Sequence, residues 1–162
     1  IAPSASYPLK CWPIGNFIVL IKMILKIGWP IVIVGGAHEP ETKVIKRTFK
    51  NKIKIFSGKL NPIESAELIK NAFRIVCNDT SLNHIAEAVK TPSTTIFGPT
   101  VEEFGYFPYL KESCVIETNL NLKCRPCSKD GRGFCKNKDT LICLNSISPE
   151  MVFHSMELNF LN

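Results

Sequence analysis

The sequence predicts an α/β fold, with a Rossmann-like parallel sheet and helices on both faces. Short apolar segments rich in β-branched residues alternate with helical patterns along the chain. This order is typical of parallel strands joined by crossover helices. The opening residues are a candidate for the end of one strand. The other predicted strands, in chain order, are Ile31–Val34, Ile53–Phe56, Arg74–Cys77, Thr94–Phe97 and Cys114–Glu117.

Helical patterns fill the intervals between these strands. Pro62 opens one of them directly after Asn61, which is a favourable N-cap. Residues 119–144 show no regular pattern and hold four of the seven cysteines. The predicted helices are Ile14–Ile27, Glu39–Phe49, Pro62–Ala72 and Leu82–Val89, followed by a last helix over residues 148–158 that begins at Ser148-Pro149.

The composition narrows the class of protein and its partners. The 162 residues are enough for a single domain that buries roughly two-thirds of the surface of its unfolded chain. The net charge of +6 suits an anionic nucleotide donor or an acidic membrane surface, and lysines scattered over solvent-facing positions explain it equally well. No dense basic block is interleaved with aromatic residues, so we expect no nucleic-acid partner.

The sequence also leads to expectations about the cellular compartment of the protein and about whether the chain is part of a longer protein. The chain begins with Ile1 at what resembles a strand end, so we expect a fragment or a gene product without its upstream half. No signal peptide is recognised, and the apolar stretch 17–27 carries Lys22 and Lys26, so we expect no membrane span. An odd number of cysteines without a secretory signal favours a reducing, cytoplasmic compartment.

The residues after the strand Arg74–Cys77 form the most informative motif. Asn78-Asp79-Thr80-Ser81 offers several capping side chains where the next helix begins. The first amides of a helix are unpaired and carry the positive end of its dipole, so they suit a phosphate. Thr80 and Ser81 would add hydroxyl donors, and His84 follows within about one turn. The sequence therefore predicts an anion site at the carboxyl end of this strand.

The same residues carry a family resemblance, through Asp79-Thr80-Ser81-x-x-His84, Ile85-Ala86-x-Ala88 and Thr95-Ile96-Phe97-Gly98-Pro99-Thr100. Together they resemble the motifs of the bacterial lipopolysaccharide heptosyltransferases, glycosyltransferase family 9. Ala2-Pro3-Ser4-Ala5-Ser6 with Lys10-Cys11-Trp12-Pro13 is similar to the family's Pro-Gly-Ala-Ser and Lys-x-Trp-Pro segment. Cys124-Arg125-Pro126-Cys127, with Cys135 and Cys143, resembles the cysteine cluster of the heptosyltransferase II branch. The four motifs occur in order and span nearly the whole chain.

This resemblance implies the carboxyl-terminal, donor-binding half of a two-domain GT-B glycosyltransferase. The donor would be ADP-heptose and the acceptor the inner core of lipopolysaccharide, with inversion at the anomeric carbon. The general base would be an aspartate of an amino-terminal acceptor domain, which is absent from this sequence, so we expect the chain alone to be inactive. No cofactor is implied for the chemistry. Location at the inner face of the bacterial inner membrane, by peripheral association, stays open.

The resemblance also implies roles for single residues. Ser6 and Lys10 would contact the donor, and Leu60 would lie against its base. Glu39 would bond the ribose or adenine side, or else it only favours a helix start as any carboxylate there does.

Asp79 and His84 are the candidates for positioning the donor sugar and its phosphates, beside the hydroxyls of Thr80 and Ser81. Asp79 would touch the transferred sugar, and the simpler alternative for it is an N-cap. His84 would donate to a phosphate, or else it is a helix histidine packed under the loop. Ser81 replaces the family's usual glycine, which adds a Cβ where phosphate approaches closely.

The cysteine-rich loop allows a separate hypothesis. Cys124, Cys127, Cys135 and Cys143 are spaced so that four thiolates would surround a tetrahedral, structural Zn²⁺. An iron–sulfur cluster, redox pairs or simply half-buried thiols are the alternatives. For the whole chain, two further functions stay open: a truncated, non-catalytic nucleotide-binding module, and a small metal-stabilised interaction domain. A sugar-nucleotide epimerase of similar fold is a weaker third option.

Overall fold

The structure, a computed structural model, describes residues 1–157. Over these residues it has five short strands and six α-helices, which alternate from α1 to β4 and are followed by β5, α5 and α6. The strands are β1 (Val32–Ile33), β2 (Lys54–Ile55), β3 (Ile75–Asn78), β4 (Ser93–Ile96) and β5 (Cys114–Ile116). The helices are α1 (Ile14–Lys26), α2 (Pro40–Phe49), α3 (Pro62–Lys70), α4 (Ser81–Ala88), α5 (Ile142–Asn145) and α6 (Pro149–Glu157). The predicted end of the last helix at residue 158 lies outside the described residues.

All named strand pairs are parallel. β1 pairs with β2, and β3, β4 and β5 form a second ladder in that order. The pairing of β1 with β2 continues beyond the named residues, because the Phe56 amide donates to the Ile33 carbonyl and the Gly58 amide to the Gly35 carbonyl. The predicted strands are therefore confirmed in place, with β3 shifted by one residue towards the carboxyl terminus and β4 by one residue towards the amino terminus.

The opening residues join the two ladders. The Ile1 nitrogen donates to the Val32 carbonyl at 2.7 Å, and the Val34 amide donates back to the Ile1 carbonyl at 3.0 Å. On the other side the Ala2 amide donates to the Val76 carbonyl at 2.8 Å, and Ala2 forms a parallel bridge with Cys77. The spatial order is then β2, β1, the opening segment, β3, β4, β5. The chain thus builds outwards from the centre in both directions, as in Rossmann-type sheets.

Helices cover both faces of this sheet, as predicted. On one face α1 buries Phe17, Leu20, Ile21 and Ile24 in a core that also includes residues of α2 and α6. On the other face a smaller cluster combines Ile69 of α3 and Ala86 of α4 with apolar strand residues. The α/β fold with a doubly covered parallel sheet is confirmed.

The expectation about membrane-spanning length needs a correction for the segment Pro8–Lys26. This segment is 19 residues long with a mean hydropathy of 1.4, so by length and composition it is apolar enough to cross a membrane, contrary to our expectation from its lysines. The core helix of a globular protein passes the same test. In this structure α1, which makes up most of the segment, packs its apolar side into the core.

Asn78 links the opening segment to β3. Its side chain is fully buried, its Oδ1 accepts from the Trp12 amide at 3.0 Å, and its Nδ2 donates to the Pro3 carbonyl at 2.8 Å. It satisfies two backbone groups of the loop before α1 through buried hydrogen bonds. Asn78 therefore fixes this loop against the carboxyl end of β3, although its sequence position suggested a helix cap.

We expect Asn78→Ala to lower the free energy of unfolding by about 2–4 kcal/mol, because it leaves the Trp12 amide and the Pro3 carbonyl buried and unpaired. Urea denaturation measures this. Asn51→Ala is the matched control, since Asn51 is exposed and its loss should change the value by less than about 0.5 kcal/mol. Equal effects of the two substitutions would contradict the role of Asn78.

Candidate functional site

A cleft of about 420 Å³ opens where the order of the strands reverses, between the opening segment and β3. Its walls come from the residues that follow the opening segment, β1, β2 and β3 at their carboxyl ends. In open parallel sheets this crevice is the usual ligand site. The lining residues are Ala2, Ser4, Ala5, Ser6, Gly35, Gly36, Glu39, Leu60, Pro62, Ser65, Thr80, Ser81 and Leu82.

The start of α4 forms one wall of this cleft. Thr80 is its N-cap, with Oγ1 accepting from the Leu82 amide at 3.3 Å. Ser81 is the first helical residue, is exposed and lines the cleft. The Asn83 amide also bonds within this turn, to the Thr80 carbonyl at 3.1 Å. The interpretation of Asp79 as the helix cap is therefore wrong, because Thr80 does this and leaves the Asp79 carboxylate free for another partner.

That partner is Lys10. Lys10 ends a short 3₁₀ helix, Pro8–Lys10, and its Nζ lies 2.7 Å from Asp79 Oδ2. The two side chains are only 11% and 4% exposed, so the pair is largely shielded from solvent and its attraction is weakly screened. Thr100 Oγ1, fully buried, donates to the same carboxylate oxygen at 2.8 Å. The three residues come from three separate loops and meet beside α4.

Glu39 folds back over the glycine turn after β1. Its Oε1 accepts from the Gly36 amide at 2.6 Å, and Thr42 Oγ1 donates to its Oε2 at 3.3 Å. A Cβ on Gly35 would overlap this carboxylate, so the close approach requires glycine at that position. Glu39 lies at the start of α2 but makes no side-chain cap. Its carboxylate instead faces the cleft on the side of Leu60.

His84 is exposed on the first turn of α4, so the alternative of a packed helix histidine is wrong. Its ring meets the edge of Tyr106 with the ring centres 6.5 Å apart. Tyr106 also lies 5.2 Å, centre to Nζ, from Lys10. Sequence reasoning missed Tyr106, because an aromatic residue in a loop shows no local signal of its position over a lysine about a hundred residues away.

The predicted donor-binding residues thus fall into two adjacent groups. Ser6, Glu39, Leu60, Thr80 and Ser81 line the cleft. Lys10, Asp79 and His84 do not line it; they gather around Tyr106 on the other side of the Thr80 cap. Only the second group contains a buried charge pair.

The cysteine-rich loop packs against Lys10. A Cβ on Gly131, whose φ is +90°, would lie 2.8 Å from Lys10 Cγ, so the bare glycine backbone covers the lysine stem. Arg132 Nε donates to the Tyr7 hydroxyl at 2.8 Å. Arg125 donates to the carbonyls of Gly98 and Thr100 at 2.8 and 2.7 Å, which ties the loop to the end of β4.

The cysteines of this loop are free and half-buried. Burial raises the pKa of the Cys127 and Cys143 thiols above their ordinary value, and neighbouring cysteines raise it further. Within residues 1–157, no three His, Cys, Asp or Glu side chains are arranged to hold a metal ion. The thiols in this arrangement therefore do not fit a zinc site, and the structural Zn²⁺ stays a prediction from spacing.

A doubly covered parallel sheet with a cleft at its point of strand reversal defines a Rossmann-type domain, a class in which ligands bind at this crevice. Comparison with known proteins identifies the family within this class. The family model of glycosyltransferase family 9 (heptosyltransferase) matches residues 1–137. Lipooligosaccharide heptosyltransferase 2 of Haemophilus influenzae is 31% identical over 164 residues, which cover 95% of this chain and 44% of that protein. The chain belongs to glycosyltransferase family 9.

Solved structures agree in fold. The Escherichia coli ADP-heptose lps heptosyltransferase II superimposes with a TM-score of 0.79 at 22% identity, covering 99% of this chain and 45% of that one. Escherichia coli heptosyltransferase WaaC, solved with ADP-2-deoxy-2-fluoro heptose, superimposes with a TM-score of 0.71 at 21% identity, covering 98% and 42%. The chain spans less than half the length of each of these relatives. Both structures are GT-B heptosyltransferases, whose fold this chain shares over nearly its whole length.

Gly131→Ala should lower the free energy of unfolding more than Gly133→Ala does. Both glycines have a positive φ, +90° and +97°, so both substitutions carry backbone strain of about 1 kcal/mol. Only at Gly131 would the new carbon overlap Lys10, whereas nothing lies within 4 Å at Gly133, and we expect this overlap to add about 1–2 kcal/mol. Urea denaturation of the two variants gives the difference; indistinguishable values would show that the loop does not press on Lys10.

Proposed function

We propose that this chain is the donor-binding half of an inverting glycosyltransferase that moves heptose from ADP-heptose to the lipopolysaccharide inner core. Family membership supports the reaction class. The observation that carries the proposal is the meeting of a buried Lys10–Asp79 pair with the start of α4 beside a cleft at the strand reversal. The acceptor, and the domain that binds it, belong to the part of the relatives that this chain does not span.

The cleft would take the adenosine end of the donor. A carboxylate at the end of the second strand of a Rossmann-type sheet is well placed to accept from ribose hydroxyls, and Glu39 occupies that position after β1. Leu60 supplies an apolar contact for the base on the same wall, and the Ser6 hydroxyl borders the opening. Glu39 already accepts one amide hydrogen bond, which holds its carboxylate in a fixed orientation for the ligand.

The diphosphate would lie at the start of α4. The positive end of the helix dipole favours negative charge there, and Thr80 and Ser81, which line the cleft, would offer their hydroxyls as donors. Lys10 would approach from one side as a point charge and His84 from the other. Asp79, held by Lys10 and Thr100, would accept from a hydroxyl of the transferred sugar.

In the transfer step, an aspartate of the acceptor domain would take the proton of the acceptor hydroxyl. The acceptor oxygen would form the new bond to the anomeric carbon while the bond from that carbon to the phosphate oxygen breaks, so the configuration inverts. The electron pair leaves with ADP, whose extra negative charge Lys10 and the start of α4 would stabilise. No divalent metal enters this proposal, and we propose that the full-length protein works on the cytoplasmic side of the inner membrane, associated with it peripherally.

We expect the 162-residue chain to bind ADP weakly and to transfer no heptose alone, because the proposed base lies outside it. Lys10→Met should reduce the affinity for ADP by about 1–3 kcal/mol through loss of a charge-assisted contact. Isothermal titration calorimetry measures this. Lys26→Met, in the last turn of α1 at the other end of the fold, is the control and should change nothing.

The Lys10→Met variant also leaves Asp79 buried without its partner, which lowers the stability of the fold. The effect on ADP affinity therefore has to be distinguished from the effect on stability. The double variant Lys10→Met/Asp79→Asn removes both charges and should restore stability while ADP affinity stays low. Failure of the unaltered chain to bind ADP would refute the proposed function, and unchanged affinity in both variants would remove Lys10 from the site.

A structural Zn²⁺ at Cys124, Cys127, Cys135 and Cys143 is proposed separately, from their spacing. It would require the loop to rearrange, since the thiols do not form a metal-binding group as they stand. Elemental analysis of the purified chain should then find about one zinc ion, lost in Cys124→Ser and retained in Cys11→Ser. A metal-free chain with four reactive loop thiols under reducing conditions would dismiss this site.

A further inference from the structure

Tyr106 lies at the centre of the charged half of the site. Its ring centre is 5.2 Å from Lys10 Nζ, a distance at which the negative face of an aromatic ring attracts a cation. The ring of His84 meets it at 62° with the centres 6.5 Å apart. Tyr106 is half-buried and contacts both of the side chains that would approach the diphosphate.

The loop that carries Tyr106 is held by α4 itself. Asn83, fully buried, donates through Nδ2 to the Tyr106 carbonyl at 3.2 Å. Glu87, 1% exposed, accepts from the amides of Tyr109 and Leu110 at 2.8 and 2.7 Å. Ser113 Oγ donates to the same carboxylate at 2.6 Å. The helix that offers its start to an anion therefore also fixes the position of the Tyr106 ring.

We propose that Tyr106 is a positioning residue for the donor, whose ring holds the Lys10 ammonium where the diphosphate binds. This rests on the proposed function. A lysine has a flexible four-carbon stem and loses much conformational freedom when it is fixed. Asp79 binds the ammonium, Gly131 covers the stem and the Tyr106 ring lies beside the ammonium. Lys10 is then already ordered before the donor binds, so binding costs less side-chain conformational entropy.

The loop supplies its own control. Tyr109 places its ring 5.4 Å from Lys90 Nζ, nearly the same geometry as Tyr106 over Lys10, but at the far end of α4. Tyr109 is also more exposed, at 68%. A change at Tyr109 therefore removes an aromatic ring, a cation contact and the hydroxyl's hydrogen bond to the Glu87 carbonyl. It leaves the backbone bonds of this loop to Glu87 in place.

The test is calorimetric titration of the full 162-residue chain with ADP. We expect Tyr106→Leu to weaken binding roughly 3- to 30-fold, Tyr106→Phe to stay within about twofold of the unaltered chain, and Tyr109→Leu to have no effect. Replacing residue 106 by trifluorophenylalanine keeps the shape of the ring and weakens its negative face. It should lower the affinity relative to Tyr106→Phe, which a purely steric role would not do.

A double-mutant cycle connects the effect to Lys10. In a Lys10→Met background, Tyr106→Leu should cause no further loss of affinity. Full affinity in Tyr106→Leu, an equal loss in the Lys10→Met background, or no difference between the phenylalanine and its trifluoro form would each overturn the inference while the proposed function stands. If the unaltered chain binds no ADP, the proposed function fails first and this inference fails with it.

Discussion

The pairing of Ile1 and Ala2 between β1 and β3 is the constraint on which the site depends. It places one segment between two ladders that grow in opposite directions, so the loops after it and after β3 diverge and leave a crevice. Asn78 then ties these two loops together through both ends of its amide. Lys10 and Asp79 meet only because this link holds their loops at a fixed separation.

The sequence was sufficient for much of the fold and for the helix start beside the cleft. Strand positions, the cap at Asn61 and the start of α4 depend on local patterns, namely apolar periodicity, capping chemistry and Pro placement. The roles of Asn78 and Tyr106 could not be predicted in this way. Asn78 acts on a residue 66 positions away, and a contact over that distance leaves no local trace. The alternative of Asp79 as a helix cap is wrong for a related reason: its neighbour Thr80 fits the same capping pattern, and only the fold brings Lys10 within reach of Asp79.

Helix α4 contributes both to the wall of the cleft and to the position of the loop between β4 and β5. Its first turn faces the cleft, whereas its buried side, through Asn83 and Glu87, organises the loop between β4 and β5. A buried carboxylate is stable there because amide and hydroxyl donors surround it. Since the first turn and the buried side belong to one helix, the hydrogen bonds of Asn83 and Glu87 fix the position of the Tyr106 loop relative to the start of α4.

The Lys10–Asp79 pair has a consequence for selectivity under the proposed function. Because Asp79 already neutralises Lys10, the pair as a whole offers little net charge to a simple phosphate ion, and the attraction at this point comes mainly from the start of α4 and from His84. A ligand that brings only phosphate would draw Lys10 away and leave a buried carboxylate poorly compensated. A ligand that brings phosphate to Lys10 and a hydroxyl to Asp79 compensates both charges at once. A sugar linked to a diphosphate carries both groups, so the buried pair favours the intact donor over inorganic phosphate.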